Sequence, residues 1–114
     1  MDKLIKIAQH YKFEKQSRKL AEECAELIQA VNKYYDYTSS YNKELIEYNW
    51  KYYQDIVEEI ADVQIMIDQI MYLLNINNEA VNEIREKKIA RQLERIKNEK
   101  EKEIWQKEEC FQKQ

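Results

Sequence analysis

Glycine and proline are both absent from this chain of 114 residues, although average usage would make them roughly 12% of it. Strands need turns, and turns with positive φ want Gly or Asn. A chain this long without either residue is expected to be all-α, with Asn, Asp and Ser carrying its loops, and its length allows one domain at most. Long apolar runs are also missing. None approaches the ~20 residues of a membrane span, and the apolar residues of the first ten are periodic rather than continuous, so they do not read as a signal peptide. There are two cysteines, Cys24 and Cys110, far apart and in no CxxC or Cys/His spacing. A reduced, cytoplasmic protein is the expectation, with Cys24 a buried, inert thiol. The only histidine is His10, which reads as a surface or capping residue rather than a catalyst. A strong net charge is lacking as well: 19 basic against 22 acidic residues give −3. Nothing in that balance attracts nucleic acid or an anionic membrane.

What is present is helical periodicity. Leu4, Ile7, Ala8 and Tyr11 predict a short helix over about 2–12, followed by a polar bend at 12–16. A second helix is expected from Ser17 to Tyr35, with Leu20, Cys24, Leu27, Ile28 and Val31 inward. Asp36-Tyr37-Thr38-Ser39-Ser40 reads as a loop. A third helix begins near Tyr41 or later and reaches Leu74, with room for a break near Asn49 or Gln54. Asn75-Ile76-Asn77-Asn78 is the second loop, in which Asn77 or Asn78 can cap the next helix. From Glu79 onward the chain is helical and increasingly charged. Seven of the nine tyrosines, with Trp50, fall between 34 and 53. Most are expected in the core, a minority being free to stack on a base.

Two acidic clusters repeat one pattern: Glu22-Glu23-Cys24-Ala25-Glu26 and Glu58-Glu59-Ile60-Ala61-Asp62. Each borders an apolar stripe, Leu20, Cys24, Leu27, Val31 in one case and Ile56, Ile60, Val63, Ile67 in the other. Glu23 and Glu59 fall about 60° to one side of the stripe's start, on the same flank, and Glu26 and Asp62 about another 60° round. Packed together, two such helices would bring four carboxylates into one small volume. Carboxylates about 5 Å apart repel by roughly 3 kcal/mol per pair at an effective dielectric near 20, so the cluster needs cations or protons. A solvated helix face explains a single ExxE; two matched copies beside strongly apolar stripes favour a divalent-metal site. With no histidine in either cluster, redox iron is disfavoured and all-oxygen ligation points to Mg²⁺ or Mn²⁺. Farther on, Lys88 and Arg91 interrupt the stripe opened by Val81 and Ile84. They read equally as a solvated face or as partners of an anionic ligand.

Glu22-Glu23-x-x-Glu26 followed by Glu59-x-x-Asp62 resembles the EExxE…ExxD signature of the MazG-like all-α nucleoside triphosphate pyrophosphohydrolases. These include dimeric dUTPases, dCTP pyrophosphatases and phosphoribosyl-ATP pyrophosphatases. The resemblance covers about residues 1–96, leaving 97–114 as a charged helical extension. It implies Mg²⁺ (or Mn²⁺) held by Glu23, Glu26, Glu59 and Asp62, with Glu22 and Glu58 supporting as candidate catalytic residues. It also implies Lys88 and Arg91 on the substrate phosphates. The expected activity is hydrolysis of a nucleoside triphosphate to monophosphate and pyrophosphate; the alternative is an inactive nucleotide-binding or protein-interaction module. A four-helix-bundle core completed by dimerisation, giving a homodimer or homotetramer, is expected from the broad apolar faces and from the resemblance. The chain departs from the pattern in its long, tyrosine-rich connection between the motifs. It also has Met66 where some relatives carry an aromatic residue.

Overall fold

The computed structural model describes residues 2–38 and 46–112. Among them are three helices and no strand: α1 (Lys3–Thr38), α2 (Ile46–Leu73) and α3 (Asn78–Gln112). The all-α expectation holds.

Asp2 caps α1, its Oδ1 accepting the Leu4 N–H at 2.9 Å, the usual N-cap arrangement. The helix is kinked at Lys12, where φ is 69° and ψ 171°. That region is almost exclusive to glycine and costs any other residue on the order of 1–3 kcal/mol. The bend expected over 12–16 is thus one residue long, and Phe13 to Gln16 are already helical. At the far end the first three residues of the expected loop, Asp36, Tyr37 and Thr38, belong to α1 instead. Asp and Thr give up no more than about 0.7 kcal/mol each against Ala in a helix, too little to stop one that has no Gly or Pro. Ser39, Ser40 and Tyr41 lie outside the described residues. Asn49 and Gln54 sit within α2 without a break.

The second loop forms as its asparagines suggest. Asn75 takes φ 55°, its N–H donating to Tyr72 O at 3.1 Å while the Ile76 N–H donates to Met71 O at 2.8 Å. This is a Schellman motif with Asn in the left-handed position. Asn77 then caps α3, its Oδ1 accepting the Ala80 N–H at 2.8 Å.

Helices α1 and α2 pack antiparallel. Gln9 Nε2 donates to the Tyr72 hydroxyl at 2.9 Å, and Gln16 Nε2 donates to Gln69 Oε1 at 2.7 Å. The seam buries Ala8, Gln16, Glu23 and Ala30 from α1 and Val63, Met66 and Gln69 from α2. This corrects the expected inward face. Both helices are turned by roughly 70° from the centre of their apolar stripes, so Glu23 lies on the seam while Ile28, Val31, Ile60 and Ile67 are exposed. An apolar stripe 100° or more wide cannot be covered by a single neighbouring helix. The flank that holds the glutamine pair and the small Ala30 is the one that closes.

The aromatic segment is also corrected. Tyr35, Trp50 and Tyr53 are exposed, with the Trp50 and Tyr53 rings stacked at 5.5 Å; Tyr34 and Tyr52 are half-buried. Cys24 is half-buried rather than buried, and both cysteines are free thiols. His10 is exposed and meets Tyr11 edge-on at 4.7 Å.

The chain divides into two compact units, Met1–Ile76 and Asn77–Gln114. In the second, α3 passes Lys97 without interruption and has no buried residue. Among the described residues, no helix is long and apolar enough to cross a membrane.

Candidate metal centre

The turn of α1 that carries Glu23 and Glu26 faces the turn of α2 that carries Glu59. One carboxylate oxygen from each of the three lies within 4.8 Å of the others. Glu23 is buried, only 7% exposed; Glu59 is half-buried and Glu26 exposed. The three therefore form a graded site, closed at Glu23 and open at Glu26.

Glu23 Oε2 and Glu59 Oε2 are each buried without a hydrogen-bond partner. A buried carboxylate oxygen is normally paired, and leaving one bare costs the full desolvation of that group. Glu23 Oε1 is satisfied by Lys19 Nζ at 3.3 Å, while the same ammonium reaches Glu22 Oε2 at 3.5 Å. These bonds and charges raise the Lys19 pKa, the Glu23 hydrogen bond foremost. The Glu59 carboxyl is pushed above its ordinary value, first by burial and then by the charges of Glu26, Asp62 and Glu23. A protonated Glu59 can also donate to Glu26, which adds to the shift. Burial and like charges both disfavour the ionised form, and a divalent cation would remove both penalties. Three convergent carboxylates, two of them with a bare buried oxygen, make an all-oxygen donor set, which fits a hard cation such as Mg²⁺ or Mn²⁺.

The expected site residues divide as follows. Glu23, Glu26 and Glu59 are brought together. Asp62 stands outside that trio, although its charge acts on Glu59. Glu22 and Glu58 are exposed on the two helices. Lys88 and Arg91 are exposed on α3, in the second unit. Lys19 was not singled out in the sequence. Its signal was available: it lies i,i+4 from Glu23 and i,i+3 from Glu22, the spacings at which helix side chains meet.

No known protein family matches this chain, and no curated protein or solved structure is significantly similar to it.

Proposed function

We propose that this protein is a Mg²⁺- or Mn²⁺-dependent pyrophosphohydrolase that converts a nucleoside triphosphate to its monophosphate and pyrophosphate. The observation that carries this reading is the trio Glu23, Glu26 and Glu59 with its two bare, buried oxygens. These carboxylates would hold the cation, with Asp62, whose charge acts on Glu59, as the further candidate ligand. When bound, the cation supplies charge neutralisation at the phosphate oxygens and a more acidic water. Glu22 or Glu58, both solvent-facing beside the trio, orients the attacking water and accepts its proton.

The same reading includes self-association and a cytoplasmic location. Four apolar side chains are buried among the described residues, Ala8, Ala30, Val63 and Met66. Backbone ordering alone costs about 1–2 kcal/mol per residue, so the hairpin needs more apolar cover than it has. Ile28, Val31, Ile60 and Ile67 offer that cover to a second copy, completing a four-helix bundle as homodimer or homotetramer. A well-folded monomer by light scattering at micromolar concentration would contradict this part.

The decisive test is a panel of NTPs and dNTPs scored separately for pyrophosphate and orthophosphate, with and without chelator. Chelator-sensitive pyrophosphate release from at least one nucleotide is expected; none from any would overturn the reading. The exposed Trp50–Tyr53 stack favours one alternative, a module that binds a nucleotide or a partner protein without turnover. Metal and nucleotide binding with no product would identify it.

A further inference from the structure

A cavity of about 860 Å³ opens on the α1–α2 hairpin, within the 300–1,000 Å³ range of small-molecule sites. Its floor is Gln16, Met66 and Gln69, all buried. Gln69, only 2% exposed, donates weakly to Met66 Sδ at 3.8 Å and accepts from Gln16, which ties the floor residues together. Four cations stand round the cavity: Lys12, Lys15, Arg18 and Lys19, against two carboxylates, Glu14 and Glu22. Arg18 is occupied by Glu14 at 3.1 Å, and Lys19 by Glu22 and Glu23. Lys15 Nζ instead lies 4.5 Å over the Tyr11 ring. Neither Lys12 nor Lys15 forms an ion pair among the described residues.

The cavity adjoins the carboxylates. Lys19 and Glu22 line it, and Lys19 is 3.3 Å from Glu23. From Gln16 to Glu23 is about two turns of helix, ~10 Å along the axis. A cavity rimmed by cations thus lies beside the acidic trio, joined to it through Lys19. Lys12 adds a second observation: its strained backbone sits at the rim of this chamber, and strain of that kind gathers at functional sites.

We propose that this chamber binds a condensed phosphate chain, with Lys12 and Lys15 as its anion-binding side chains and Lys19 as the link to the carboxylates. A ligand with several linked phosphates is the chemistry that spans both halves, since its oxygens suit hard cations at one end and ammonium groups at the other. This rests on the metal reading above but places phosphate contacts on α1, where the sequence had pointed only to α3. The chain can come from a nucleoside triphosphate or from free inorganic polyphosphate.

The test is calorimetry on the full chain with three probes: Mn²⁺ alone, inorganic tripolyphosphate with Mn²⁺, and an α,β-methylene nucleoside triphosphate with Mn²⁺. In Lys12→Met/Lys15→Met, both anions should bind at least about 10-fold more weakly, the equivalent of 1.4 kcal/mol, with Mn²⁺ alone unchanged. Lys12→Gly is the control for folding: it relieves the positive φ, so it should raise Tm while still weakening both anions. Wild-type affinity equal for the two anions points to free polyphosphate, and tighter nucleotide binding to the nucleotide. Failure of Mn²⁺ to bind the wild type would sink the metal reading itself. If Mn²⁺ binds, three results overturn the chamber alone: neither anion binds, both bind the variants as they bind the wild type, or only the nucleotide is weakened.

Discussion

The hairpin and α3 are built from similar material and use it in opposite ways. Both are long helical stretches dense in Glu, Lys and Gln, with apolar residues at helical spacing. The hairpin buries polar groups, Gln16, Glu23 and Gln69, and leaves Ile28 61% exposed. In α3 nothing is buried, and its Lys87–Glu83 pair at 3.4 Å lies in solvent. An exposed ion pair of that kind contributes only about 0–1 kcal/mol. A carboxylate acquires chemical consequence from where it is desolvated, and among the described residues the hairpin alone buries one, Glu23. The same residue type is crowded by burial and like charges at Glu59 and lies in solvent beside Lys87 at Glu83.

The largest effect separating the two regions should come from charge removal. Glu23→Gln or Glu59→Gln should lower pyrophosphate release by at least about 10²-fold, the scale on which electrostatic groups at a transition state act. Glu83→Gln on α3 should leave it unchanged. Equal losses in all three would mean that the trio is not the site. In chelator, Glu59→Gln should melt higher than the wild type, because it removes a carboxylate repelled by Glu26, Asp62 and Glu23.

Next in size is the buried amide pair. Gln69→Leu leaves Gln16 without its partner and should cost about 1–3 kcal/mol, whereas replacing both glutamines by Leu should recover most of it. Gln92→Leu on α3 should stay within roughly 0.5 kcal/mol. Chemical denaturation measures all three, and a double variant no better than Gln69→Leu would show that the pair is not what closes the seam.

A smaller effect is pH-dependent. With its pKa above 4.5 in the fold, Glu59 takes up a proton more readily folded than unfolded. Its contribution to metal-free stability is therefore complete below 4.5 and lost as pH rises through the raised value. The melting advantage of Glu59→Gln should accordingly be largest near neutral pH and shrink toward pH 4.5. An advantage that grows with acidity would reverse the sign and exclude repulsion as its cause.

The smallest effect is expected at the end of α3. A chain ending at Asn98 loses Ile104, Trp105 and Phe111, all exposed, and should bind Mn²⁺ within about twofold of the full chain, well under the 1.4 kcal/mol of a tenfold change. A larger loss would make the tail part of the metal site.

Much of this was legible from local chemistry. The absence of Gly and Pro pointed to an all-helical chain, and the asparagines of 75–78 marked one helix end and the next beginning, with Asn77 or Asn78 as the cap, because both signals act within a turn of the residue itself. The Glu22–Glu26 and Glu58–Asp62 repeats located the carboxylates for the same reason: helical spacing fixes which side chains share a flank. Periodicity does not say how far each helix turns about its axis when two pack, since a wide apolar stripe is compatible with many rotations. Only the tertiary structure chose the rotation that places Glu23 on the seam and Ile60 outside. That choice brought Glu59 to Glu23 and Glu26 while leaving Asp62 beyond them, and it set Lys12 and Lys15, which form no ion pair among the described residues, beside a cavity next to the trio. Fit between two surfaces decides such matters, and it is a property of the pair, not of either helix alone.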